Sequence, residues 1–182
     1  MGIGFWSLHH YCYGLVALHR LQRSGVKGPK RDFTVHQIVS EYYYVINNVP
    51  GNFVLLPEIW TRIGEAELLR ENYKAAYGAY ENARQLKPDY WPAYTQWAEV
   101  LIGVKKTDDA RKLIAEGLRH APDAEPLRTM YRKLGGESAR ITPIARPPVN
   151  SPASNASPAA ALASAPVAET VAPAAPSVEQ RP

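Results

Sequence analysis

The chain has 182 residues, a formal net charge of +4 and an ordinary hydrophobic share of 46%, which suits a soluble domain with a tail. Its one cysteine, Cys12, makes no internal disulfide and no structural zinc site of the usual kind. The charge is uneven: residues 1–31 hold five Lys or Arg and no acid, residues 32–90 five bases against eight acids, and residues 91–140 nine against seven. Thin bases without a nucleic-acid motif read as a solvated face, so no nucleic-acid partner is expected.

In chain order, the first predicted element is a helix over Phe5 to Arg23, with Leu8, Tyr11, Leu15, Leu18 and Leu21 at spacings of three and four. The start, Met1 to Leu18, has an apolar run interrupted by two histidines and is too short and too polar to span a bilayer, so no membrane insertion is expected. The first residues lack a basic n-region, so they do not resemble a signal peptide. Met1 stands close to the apolar run, which points to a domain that begins upstream and could carry an export signal there. The expected localisation is therefore open: cytoplasmic by default, exported if such a segment exists. Ser24 to Arg31 reads as a basic loop broken by Gly25, Gly28 and Pro29. A second helix is predicted over Asp32 to Asn48, capped by Asp32 or Thr34, with Val35, Ile38, Tyr42 and Val45 inward. Gly14 is the small residue expected at the contact between these two helices. Gly51 to Leu56 is a short apolar connection expected to pack on the stack.

Two segments of equal length follow, Pro57–Tyr90 and Trp91–Ala124, with matching residues 34 apart. Trp60 pairs with Tyr94, Ile63 with Trp97, Gly64 with Ala98, Ala76 with Ala110, Tyr80 with Ile114, Ala83 with Gly117 and Pro88 with Pro122. Small residues let antiparallel helices approach, large ones fill the space beside them, and each proline ends a helix. The helices should run near Glu58–Arg70, Tyr73–Leu86, Pro92–Val104 and Asp108–His120. Asn72 and Thr107 or Asp108 are the expected caps of the second helices. A last helix near Glu125–Leu134 would cover the exposed edge with Leu127, Met130, Tyr131 and Leu134, and Gly135-Gly136 would end it.

This pattern resembles the tetratricopeptide repeat, a helix–turn–helix unit of that period. The resemblance implies an all-α, right-handed superhelix of antiparallel helix pairs. Residues 1–56 would be a degenerate hairpin with a basic loop, 57–90 and 91–124 the two clear repeats, and 125–136 a capping helix. Glu67 departs from the family's usual aromatic or aliphatic residue, and Glu71-Asn72 from its common Gly-Asp turn. Residues 137–182 are expected to be a disordered tail, since residues 141–182 hold twelve Ala and nine Pro with few charges. Arg146-Pro147-Pro148 is the one piece there that resembles a docking ligand.

The family resemblance also implies a function. First helices of successive repeats would line a concave groove that binds a partner peptide or helix. Carried onto this chain, the groove residues are Glu58, Thr61, Arg62, Glu65 and Leu69, then Thr95, Gln96 and Glu99, then Thr129 and Lys133. Thr61 and Glu65 stand where a clamp for acidic tails would want Lys and Asn, so a basic or neutral ligand is expected instead. No catalytic motif, cofactor site or metal motif is present, so the expected role is a non-enzymatic scaffold. One alternative is a metal- or ligand-binding domain centred on His9, His10 and Cys12. On a helix only His9 and Cys12 would share a face, and two ligands do not make a site. The other alternative is an accessory subunit of an enzyme complex.

Overall fold

The computed structural model describes residues 3–137 and 140–144, with side chains from Ser7 onward. The expected tail from Ala145 lies outside the described residues. Among the described residues, seven helices follow one another: α1 (Ile3–Ser24), α2 (Pro29–Asn48), α3 (Leu56–Leu69), α4 (Tyr73–Leu86), α5 (Trp91–Gly103), α6 (Thr107–His120) and α7 (Glu125–Lys133). There are no strands among the described residues. Consecutive helices pair as hairpins α1–α2, α3–α4 and α5–α6, and α7 closes on α5 and α6. The odd-numbered helices also touch in succession, α1 on α3, α3 on α5 and α5 on α7. These contacts make the odd-numbered helices one continuous inner layer.

A glycine–tyrosine contact sets the spacing of the first two hairpins. A Cβ at Gly64 would stand 2.7 Å from the ring of Tyr80, and one at Gly14 would stand 2.7 Å from the ring of Tyr42. Both tyrosines are fully buried. The third hairpin solves the same problem with the buried pair Ala98 and Ile114: as the small residue grows, the large one shrinks. Gly117 likewise leaves room for Tyr94 and for Leu127 of α7. The predicted inward stripe of α2 is buried as expected: Val35, Ile38, Tyr42 and Val45.

Two core clusters result. One joins α1 to α4 through Leu18, Ile38, Val45, Ile59, Ile63 and Ala83. The other joins α5 to α7 through Tyr94, Ala98, Leu113, Ile114 and Leu127. In the connection before α3, Phe53 and Leu55 pack on the first cluster, while Val54 points to water. Beyond α7, Ile141 packs on the second cluster, and the Ile144 N–H donates to the Arg119 carbonyl at 2.7 Å. The chain is thus tied back to α6 at Ile144.

Two helix starts differ from expectation. α2 begins at Pro29 after Gly28, without a side-chain cap. Proline lacks an N–H and its φ is preset, so it opens a helix rather than extending the loop. Thr34, one expected cap, instead donates to the Lys30 carbonyl at 2.9 Å. α6 starts at Thr107 with no side-chain cap, and Asp108 accepts from Arg111 at 2.8 Å. Asn72 does cap α4, accepting from the Ala75 N–H at 3.4 Å.

The turns inside the two clear repeats share one geometry. The Asn72 N–H donates to the Glu67 carbonyl at 3.0 Å, and the Lys106 N–H to the Leu101 carbonyl at 2.8 Å. Each closes a Schellman turn whose penultimate residue is left-handed: Glu71 at φ 60° and Lys105 at φ 62°. An L side chain is strained there. Replacing either by glycine, Glu71→Gly or Lys105→Gly, should raise stability by about 0.5–1 kcal/mol in urea unfolding. The relief of strain exceeds the added freedom of the unfolded chain.

Candidate functional site

The inner face is built on α3 and centres on Arg62. Its guanidinium lies between two carboxylates one turn apart on either side. Nη1 donates to both oxygens of Glu65, at 3.1 and 3.0 Å, and Nη2 donates to Glu58 Oε1 at 3.3 Å. Helical spacing alone brings these three side chains together, as i, i+3 and i+4 neighbours. Tyr11 reaches over from α1, and its hydroxyl donates to Glu58 Oε1 at 2.8 Å. Two carboxylates share one guanidinium, so the cluster keeps one net negative charge.

Burial shapes its electrostatics. Burial lowers the basicity of Arg62, but its hydrogen bonds to Glu65 and Glu58 outweigh this and raise it. The Tyr11 hydroxyl is pushed up to about 12 by burial and by its bond to Glu58. Tyr90, at the start of α5, is also pushed up to about 12, by burial and then by Glu58. Burial raises Tyr42 and Tyr80 further. Three atoms around this face, Tyr42 Oη, Arg62 Nε and Gln96 Oε1, are buried without a hydrogen-bond partner among the described residues. Tyr42 is itself fully buried, and its hydroxyl lies in the field of Arg62, Glu65 and Glu58.

These tyrosines predict an alkaline transition. Their folded-state pKa values lie above the unfolded value of about 10, so folding favours the protonated form. Their contribution to stability is complete below about pH 10 and is lost as pH rises through about 12. In an ultraviolet titration these four hydroxyls should ionise only together with the loss of the helical circular-dichroism signal. Ionisation in the folded chain would contradict this.

The ten expected groove residues fall into different environments. Glu58, Arg62 and Glu65 form the cluster just described, and Glu65 is half-buried rather than exposed. Thr61 is buried, and its hydroxyl donates to the Pro57 carbonyl at 2.8 Å, so it is out of a ligand's reach. Thr95 is also buried, with its hydroxyl on the Pro92 carbonyl at 3.0 Å. Both hydroxyls satisfy the backbone of their own helix, a local option that the repeat alignment does not reveal. Leu69 is half-buried against the first core cluster. Gln96 is half-buried, and Glu99 is exposed on α5. Thr129 donates to Glu125 at 3.0 Å, and Lys133 is exposed on α7. Tyr11, Tyr42 and Tyr90 belong to this face but were not expected there. Their inward aromatic pattern signals core, and only the position of the hydroxyl shows a second role.

The histidine cluster takes another form. His10 stacks on Tyr44 at 3.8 Å between centroids and shares a hydrogen bond with Glu41, which ties α1 to α2. His9 and Cys12 are exposed. Among the described residues, no three His, Cys, Asp or Glu side chains are gathered as metal ligands. No helix among them is long and apolar enough to cross a membrane.

Stacked helical hairpins with a continuous inner layer define an α-helical repeat protein. Residues 67–134 match the model of the tetratricopeptide repeat family, and this stretch is a tetratricopeptide repeat region. The match begins within α3, runs through α4, α5 and α6, and ends just after α7. No match to a curated protein was found. Tetratricopeptide repeats are typically non-enzymatic and serve as protein-interaction modules.

Proposed function

We propose that this protein is a non-enzymatic scaffold that holds a basic or neutral partner segment on the inner face formed by α1, α3, α5 and α7. The observation that carries this reading is the half-buried Glu58–Arg62–Glu65 cluster with its residual negative charge. Carboxylate oxygens are suited to a Lys or Arg side chain or to backbone N–H groups of an extended segment. Glu99 extends the negative character onto α5. The hairpin α1–α2 counts as a further repeat unit in this reading, because it reproduces the glycine–tyrosine contact of α3–α4 and supplies Tyr11 to the face.

Affinity enrichment from source cells with the full chain, followed by mass spectrometry, tests this. Glu65→Gln with Glu99→Lys should lose the captured partner while the melting temperature stays nearly unchanged. The glutamine keeps an acceptor for Arg62, and Glu99 is exposed, so neither change disturbs the stack. Full capture by this double variant would place the binding surface elsewhere.

A further inference from the structure

The two ends of the stack are finished differently. At one end, α7 buries Leu127 against the last hairpin and turns Glu125, Arg132 and Lys133 to water. On the side of the stack away from α7, no other described residue covers the outer side of α1. Tyr13 is 64% exposed and Val16 47%, and with Ala17 and Arg20 they run along the helix at i, i+3, i+4 and i+7. That spacing is the stripe by which one helix packs on another. The stripe borders an open groove of about 680 Å³ that also takes in Cys12, Leu21, Val26 and Thr34. Arg20 stands in its wall, and Arg23, Lys27 and Lys30 are exposed around the adjoining turn. None of these four forms an ion pair among the described residues, and no acid precedes Asp32 in the chain.

We propose that this groove receives an amphipathic helix of a partner protein, apolar along one stripe and acidic on its flanks. It would cover α1 as α7 covers α5 and α6, and repeat stacks require such polar-faced caps. Charge selects the occupant. A second copy of this chain would bring four like charges against four, which repel. Residues 145–182 carry eight Pro and two acids, a composition that supplies neither a regular apolar stripe nor the complementary charge. A lipid surface engages protruding side chains, whereas a groove between a helix and the Val26 turn needs a ridge to fill it. This surface is separate from the inner face and does not depend on it.

The test uses the full chain and a labelled synthetic helix with a leucine stripe flanked by glutamates, beside a twin flanked by lysines, read by fluorescence anisotropy. The glutamate helix should bind, and the lysine twin should bind at least about tenfold more weakly. Val16→Asp should weaken the glutamate helix by about tenfold or more, with unchanged helical circular dichroism because Val16 is exposed. Arg20→Glu with Lys27→Glu should reverse the preference between the two peptides. No binding of the glutamate helix, equal binding of both, or indifference to Val16→Asp would overturn the proposal. Loss of binding in Glu99→Lys would overturn it in favour of the inner face. A dimer that Val16→Asp dissolves in light scattering would overturn it in favour of self-association. Sedimentation with phosphatidylserine vesicles, lost in Val16→Asp and without peptide binding, would overturn it in favour of a lipid surface.

Discussion

Gly64→Val should lower stability by about 3 kcal/mol, the upper part of the usual range for overpacking a core. A single Cβ there would already lie 2.7 Å from Tyr80 Cε1 and 2.8 Å from Cζ. The ring cannot turn aside, because Tyr80 is 1% exposed between α3 and its neighbours. Valine adds two methyl groups to that clash, so α3 and α4 must separate. For a stack of this size the melting temperature should fall by roughly 10 °C. Gly14→Val should behave alike through Tyr42, in the same core cluster. Gly78→Ala is the control. It also lies inside a helix, but a Cβ there meets nothing within 4 Å. It should stabilise the protein by about 0.5–1 kcal/mol, the ordinary gain of alanine over glycine in a helix. Thermal unfolding followed by circular dichroism measures all three. If Gly64→Val melted within a degree or two of the parent, the glycine–tyrosine contact would not set the hairpin spacing.

Glu67→Leu should cost about 2–3 kcal/mol although leucine is closer to the family's usual residue at this place. Glu67 is 3% exposed. Its carboxylate accepts from Arg70 Nε at 2.8 Å, from Arg70 Nη2 at 2.7 Å and from Asn72 Nδ2 at 2.9 Å. The same residue's carbonyl accepts the Asn72 N–H that closes the turn into α4. Leucine fills the volume but leaves the Asn72 amide and the Arg70 guanidinium without this partner. Arg70 is partly exposed and can turn to water, which holds the loss below that of a fully buried pair. Arg70→Ala in the Glu67→Leu background should therefore change little, whereas Arg70→Ala alone should destabilise. Urea titrations of the four proteins give the coupling directly. A coupling near zero would mean that the carboxylate works through Asn72 alone.

The position of Glu67 shows where sequence reasoning reaches its limit. As a departure from the repeat pattern it was visible, but its purpose was not. The usual Gly-Asp turn is replaced by Glu71-Asn72, and the strained Glu71 at φ 60° is held by bonds that converge on Glu67. The compensation joins residues three and five apart through side-chain conformations that spacing does not specify. The groove residues show the same limit. Thr61 and Thr95 occupy ligand-facing positions in the family pattern, yet both hydroxyls fold back onto their own helices. Glu65 is another such position, because Arg62 on the preceding turn occupies its carboxylate.

Helix number, helix order and the pairing of hairpins were legible in the chain itself. They rest on local rules: apolar residues at three and four, proline at helix boundaries, and small residues opposite large ones at a fixed offset of 34. The early hairpin was legible for the same reason, since Gly14 and Tyr42 stand on opposing stripes. Only the tertiary structure decided which polar side chains face a ligand, which serve the backbone and which cancel one another. It also decided that α7 covers one side of the stack, while among the described residues the Tyr13–Val16 stripe of α1 stays open on the other. The reason is physical. A helix and its hairpin partner are specified by contacts close in sequence. The exposure and charge of a surface depend on the packing of helices tens of residues away, and on which neighbour each carboxylate and hydroxyl finds.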